Sequence, residues 1–309
     1  RIFTKSKTIH STVLMFKSSN SHRVIVRSIS LIGGLLVHKS TCTVAMALSS
    51  SSSSSSTSTC GKQLANNDNN HHAGASQHWE ALWADGLEKG SRFDVAGVSL
   101  PLAAELSRRK REKTNAIPIT PGLSALIPGS GRAYDAIALA EYGFDSVTAL
   151  DLSNTACVAA REEIAAYNAV DVDESSSCNI INVVCGDFFD HEGQYDFIWD
   201  NTFLCALDPS VRARWAGKMK ALLQPETGEL ITNVFPIGDR EGGPPFALSV
   251  PLVKSLLEPV GFQSTFVQDQ LPLEQQHRRP GDPLESVLTR GSSLVTWRIV
   301  DNDDNNSNT

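Results

Sequence analysis

From about residue 120 onward, short apolar runs ending in a glycine or an acid alternate with longer stretches whose apolar positions recur every three or four residues. The runs predict strands near 123–128, 146–151, 180–185, 195–200, 228–235, 263–269 and 293–299. The longer stretches predict helices over 132–142, 153–168, 209–223 and 249–258, with Ser153 and Asp208 as N-caps and Pro209 at a first helical position. Strands alternating with helices predict an α/β fold with helices on both faces of a seven-stranded, mostly parallel sheet. A polar, Pro-rich segment at 272–283 separates the last two strands in place of a helix, which suits an antiparallel final hairpin. Ahead of the first strand, Trp79 and Trp83 are four residues apart, on one face of a helical segment that either packs on the sheet or folds over the strand tips.

Composition divides the chain. Up to Asn67 there are Lys and Arg but no Asp or Glu, and a serine tract runs from Ser49 to Ser56. Residues 1–48 therefore read as a targeting leader, 49–76 as a Ser/Asn-rich linker, 77–300 as the globular domain and 301–309 as an acidic, disordered tail. A basic, acid-free leader suggests a plastid or a mitochondrion, with the cytoplasm as the alternative. Its apolar run, 29–37, is too short for a stable membrane span. The net charge is −7 with the basic residues concentrated in the leader, which argues against nucleic acid as a partner. Six cysteines show no CxxC spacing, so Cys157, Cys185 and Cys205 read as reduced core residues. His71 and His72 lack ligand partners at metal spacing, and no metal is expected.

The chemistry gathers at the predicted strand tips. Leu126–Asp135 reads L-I-P-G-S-G-R-A-Y-D, a strand, a glycine turn and a helix start, in which Gly129 and Gly131 let a nucleotide-like ligand approach the backbone. Asp151 ends the second strand, where an acid can accept both hydroxyls of a ribose. Two further tips carry V-V-C-G-D-F-F (183–189) and D-F-I-W-D-N (196–201). A nicotinamide-dependent dehydrogenase would share the GxG and the ribose acid. It is disfavoured because Tyr134 stands where a third glycine belongs and no YxxxK pair occurs.

With these residues in place the sequence resembles the thiopurine S-methyltransferase family, and more closely its branch of halide and thiol methyltransferases, the harmless-to-ozone-layer proteins. The resemblance covers most of residues 78–299. It rests on WxxxW, LIPGSGRAYD, A-L-D-L-S, G-D-F-F, I-W-D-N-T-F-L-C-A-L-D-P, R-x-R-W-A, G-E-L-I-T-N-V-F-P and G-G-P-P-F (242–246). It implies a class I S-adenosylmethionine-dependent methyltransferase with a Rossmann-like sheet, and S-adenosyl-L-methionine as cofactor. Trp79, Trp83 and Phe93 would then form a lid, Gly129 and Gly131 the turn under the cofactor's amino-acid part, and Asp151 the ribose contact. Asp187 and Phe188 would frame the adenine, and Asp200 and Asn201 would border the methyl group. Phe93 is a stand-in for a Trp of the family pattern, and Asn201 replaces its usual Tyr.

The implied reaction moves a methyl group to a halide, thiocyanate, hydrosulfide or small thiol, and needs placement and exclusion of water more than a strong base. Alternatives are a thiopurine-type enzyme for larger aromatic thiols and a cofactor binder without turnover. A monomer acting on a small molecule is expected. Arg240 either supplies charge to an anionic acceptor or is a solvated loop residue.

Overall fold

A computed structural model of the chain describes residues 76–112, 122–170, 180–279, 281–283 and 290–300. The leader, the tail and all of the linker except Ser76 lie outside the described residues; Ser76 already begins a helix, α1 (76–84). Next come α2 (Leu100–Glu112), β1 (Ser124–Pro128), α3 (Tyr134–Tyr142), β2 (Ser146–Asp151), α4 (Asn154–Val170), β3 (Ile181–Cys185) and β4 (Phe197–Asn201). The chain continues through α5 (Arg212–Leu222), β5 (Glu229–Ile237), α6 (Val250–Leu257), β6 (Phe262–Gln268) and β7 (Gly291–Ile299).

The seven strands form one sheet in the order β3-β2-β1-β4-β5-β7-β6. Pairings from β3 through β5 are parallel, while β7 runs antiparallel to both β5 and β6. The order reverses at β1, between β2 and β4, and in such sheets ligands bind beyond the carboxyl ends of the strands at that switch point.

Because side chains alternate across a strand, each strand feeds both faces. Ala125, Ile127, Phe197, Trp199 and Ile231 face one core with Leu102, Leu139 and Phe144. Leu126, Ile198, Leu230 and Val234 face the other with Trp215, Met219, Val253 and Trp297. Both layers are closed by helices, so the central strands read as nearly unbroken apolar runs.

Three details differ from the sequence expectation. Helix α2 was not anticipated, although Leu102, Leu106 and Arg109 recur at helical spacing and are buried. The helix expected over 209–223 opens instead as a 3-10 turn, Pro209–Val211, capped by Asp208 through Ser210 N, before α5 begins. Cys157 and Cys185, expected to be reduced, are joined as a disulfide between the start of α4 and the end of β3, leaving Cys205 as the free, buried cysteine among those described. Ser153 does cap α4, its Oγ accepting from Ala156 N at 3.1 Å.

Candidate active site at the strand tips

Beyond the carboxyl ends of β1, β2 and β4 lies a cavity of about 730 Å³. Its wall includes Trp79, Trp83, Phe93, Gly129, Gly131, Asp151, Asp187, Phe188 and Asn201. Of the expected site residues, Asp200 alone is outside the wall. Its Oδ1 accepts from Leu204 N at 3.1 Å and its Oδ2 from Trp215 Nε1 at 3.0 Å, so the carboxylate is turned into the core. Burial pushes its pKa up to about 6.

The glycine turn is shaped for close approach. Gly129 and Gly131 have φ of +63° and +52°, in the left-handed region that disfavours side chains, and a Cβ on Gly129 would stand 2.8 Å from Phe203 Cδ2. Gly131 N donates to Asp151 Oδ2 at 2.8 Å, and Ser153 N donates to Oδ1 at 2.9 Å. The Asp151 carboxylate is thereby fixed at the end of β2, with the Leu152 N–H acting on it as well. Burial raises its pKa, against the lowering effect of these backbone donors. Ordered carboxylate and bare backbone together fit the ribose and amino-acid parts of S-adenosylmethionine. Asp187 sits one strand over, its Oδ1 accepting from Phe189 N, and the buried Phe188 ring lies edge-on to Phe203 at 4.9 Å.

Helix α1 covers this end of the cavity. Phe93 contacts Trp79 and Trp83 edge to face at 5.6 and 5.8 Å, and Trp83 is buried. Two polar ties that the sequence did not disclose hold the cover in place. Glu80 accepts from Ser153 Oγ at 2.7 Å and from Thr155 Oγ1 at 2.5 Å, joining α1 to the start of α4. Arg132, in the glycine turn, donates to Asp94 Oδ2 at 2.9 Å and to Leu87 O at 2.6 Å, and its guanidinium lies 5.5 Å from the Trp83 ring centre. Each tie joins residues far apart in the chain, so periodicity and motif spacing carry no signal of it.

At the tip of β4 the Asn201 amide is held from both sides. Its Nδ2 donates to Asp135 Oδ2 at 3.4 Å, and its Oδ1 accepts from Asn233 Nδ2 at 2.8 Å. Asp135 also accepts from Ser99 N, Ser99 Oγ and Trp199 Nε1, each at 2.8 Å. The far end of the cavity is formed by Cys205, Phe235, His277 and the loop Gly243–Pro245. Burial lowers the His277 pKa to about 4, so this imidazole is neutral at physiological pH. Arg240, considered for an anionic acceptor, is exposed and outside the wall.

No group of three or more His, Cys, Asp or Glu among the described residues could hold a metal ion, and no described helix is long and apolar enough to cross a membrane.

The chain is similar in sequence and in fold to known proteins. The family model for thiopurine S-methyltransferase matches residues 74–292. A protein of Arabidopsis thaliana named probable thiol methyltransferase 2 is 34% identical over 197 residues, covering 63% of this chain and 77% of the relative. Thiocyanate methyltransferase 1 of Brassica oleracea is 32% identical over 193 residues, covering 62% and 76%. A solved structure described under the conversion of a disulfide bond into a thioacetal group during echinomycin biosynthesis superimposes with a TM-score of 0.52 at 18% identity, covering 74% of this chain and 94% of that one. That likeness shows the fold.

Proposed function

The chain belongs to the thiopurine S-methyltransferase family, and from that premise we propose that it methylates small sulfur and halide nucleophiles: thiocyanate, hydrosulfide, halides or small thiols. It is an S-adenosylmethionine-dependent methyltransferase. When bound, the cofactor supplies a methyl group already activated by a sulfonium centre. The chain's part is to bind, orient and keep water out. In this reading Asp151 holds the ribose, the Gly129–Gly131 turn accommodates the amino-acid part, and Asp187 and Phe188 border the adenine. Trp79, Trp83 and Phe93 close the site to solvent, and their ring faces suit a cation.

One observation carries the choice of acceptor. The residue facing the cavity at the tip of β4 is the neutral amide of Asn201, pinned by Asp135 and Asn233, while the adjacent Asp200 is turned into the core. An acceptor placed there meets an amide; Asp135 beside it is occupied by four donors and the neutral His277, with its pKa lowered to about 4, is a weak base, so the acceptor must arrive as an anion or as a thiol that ionises readily. Relatives named for thiol and thiocyanate methylation support this reading. A second reading, a larger aromatic thiol, draws support from the cavity's size and aromatic wall.

The test is the pH dependence of turnover at saturating cofactor. Between pH 6.5 and 9, thiocyanate methylation should stay flat while thiol methylation rises toward the thiol's own pKa. A thiol rate that is already flat at neutral pH would mean that the protein provides a base, and would refute the assignment of Asn201. We further propose that residues 1–48 are an organellar targeting leader and 49–76 a linker, on their basic, acid-free and Ser-rich composition. The functional unit is proposed to be a monomer that does not engage nucleic acid, on the net charge of −7.

A further inference from the structure

Arg212, the first residue of α5, is a buried charge without a hydrogen-bonded partner. It is 7% exposed, and both Nε and Nη2 are buried with nothing to donate to. Buried charges are ordinarily paired, because taking an ion out of water is costly. Arg109, equally buried, shows the ordinary solution: it pairs with Glu105 at 2.6 Å and Glu229 at 2.5 Å. Arg212 has only a ring beside it, with its guanidinium carbon 5.8 Å from the centre of Phe246. The acid whose charge it feels, Asp208, is engaged as a cap, its Oδ1 accepting from Ser210 N at 2.9 Å and Ser210 Oγ at 2.6 Å. Burial lowers the pKa of Arg212, and the charges of Cys205 and Asp208 act in the opposite sense.

The position of this charge is informative. Cys205, Asp208 and Val211 form one part of the cavity wall, and Gly243–Pro245 lies in the same wall. The turn and the loop are tied together, since Phe246 N donates to Cys205 O at 2.7 Å. Arg212 stands behind this wall and is electrostatically coupled to Cys205, as Arg240 is from the solvent side. The Cys205 thiol is itself pushed up to about 12, first by burial and then by Asp200, so it stays neutral and leaves the guanidinium uncompensated. An unpaired positive charge behind a wall of cysteine, proline and aromatic groups favours a soft, weakly hydrated anion, because guanidinium is itself weakly hydrated.

We propose that Arg212 is the residue that selects an anionic acceptor, supplying the positive charge that holds thiocyanate, iodide or a thiolate at the Cys205 and Pro244–Pro245 end of the cavity. This rests on the reading that the acceptor is an anion or a readily ionised thiol. It identifies Arg212, rather than the exposed Arg240, as the buried charge behind the Cys205 part of the wall, in addition to Arg278, Arg279 and Arg290 in the wall itself.

The experiment measures anion binding rather than turnover. The melting temperature of the full-length protein with S-adenosylhomocysteine is followed against millimolar thiocyanate, at ionic strength fixed with potassium chloride, for wild type, Arg212→Lys and Arg212→Met. The wild type should show a saturable stabilisation by thiocyanate, which Arg212→Lys retains. Arg212→Met should weaken the apparent thiocyanate affinity at least tenfold (about 1.4 kcal/mol), while its melting temperature without anion is no lower than wild type. Should Arg212→Met fail to bind S-adenosylhomocysteine, Arg212→Gln takes its place. A methionine or glutamine variant that binds S-adenosylhomocysteine and keeps the wild-type thiocyanate response overturns the proposal alone. A wild type that shows no thiocyanate response and methylates only aromatic thiols overturns both this and the anionic-acceptor reading.

Discussion

Replacing Asp151 by alanine probes the cofactor assignment most locally. The carboxylate is oriented by Gly131 N at 2.8 Å and Ser153 N at 2.9 Å, one on each oxygen, with the Leu152 N–H also acting on it, which leaves acceptor capacity for a ribose hydroxyl. A hydrogen bond to a charged group contributes about 1.5–3 kcal/mol, so Asp151→Ala should weaken S-adenosylhomocysteine binding by a factor of about 10 to 150. Isothermal titration calorimetry measures this directly, with circular dichroism as the control for folding. The substitution also releases the glycine turn, so the ribose contact must be separated from a general loosening. A ligand lacking both ribose hydroxyls does so: it should bind wild type more weakly than adenosine does, and should bind Asp151→Ala as well as adenosine does. An alanine variant within twofold of wild-type affinity, or one that still prefers the intact ribose, would refute the role given to Asp151.

The other predictions concern the cover, the core acid and the buried ion pairs. Arg132→Met keeps the side-chain length but removes the bonds to Asp94 and Leu87; stopped-flow tryptophan fluorescence should show S-adenosylhomocysteine leaving about tenfold faster, the scale of one charge-assisted bond, and an unchanged off-rate would mean that the cover needs no such tie. Asp200, buried, has its pKa pushed up from 3.8 to about 6, so the folded state holds the extra proton between those values. Stability should therefore fall as pH rises from about 4 to about 6 and then level off, by about 3 kcal/mol in all. Urea unfolding of wild type against Asp200→Asn should reveal this slope as their difference, and a pH-independent difference would contradict it. Arg109→Met leaves Glu105 to Arg108 and Glu229 to the longer contact with Arg298, and should cost about 1.5–3 kcal/mol in the same assay, the scale of one charge-assisted bond; an unchanged stability would contradict the pairing.

The sheet was legible because each central strand is apolar on both sides, as in Ala125-Leu126-Ile127 and Phe197-Ile198-Trp199, a pattern that only a sheet covered on both faces requires. The glycine turn and Asp151 were legible because their chemistry sits at strand ends, where the register of parallel strands brings tips together. Helix α2 was missed because its sequence, LPLAAELSRRKRE, mixes a narrow apolar face with a run of basic residues. Of these, Arg109 is a core residue whose partner, Glu229, lies on another element. Asp200 was misplaced for a related reason. It is adjacent to Asn201, but side chains one residue apart on a strand point to opposite faces, and here Asp200 turns to Leu204 N and Trp215 while Asn201 meets the cavity. The Arg132–Asp94 tie and the unpaired Arg212 depend on three-dimensional neighbours and on burial, neither of which is written in local spacing.

The most direct test of the account is methyl transfer from labelled S-adenosylmethionine by the full-length protein, with thiocyanate, iodide, hydrosulfide and an aromatic thiol presented in parallel. The account predicts labelled methyl products from the small anions, with the aromatic thiol the poorer acceptor. Transfer to the aromatic thiol alone, or tight cofactor binding with no transfer to any of the four, would contradict it.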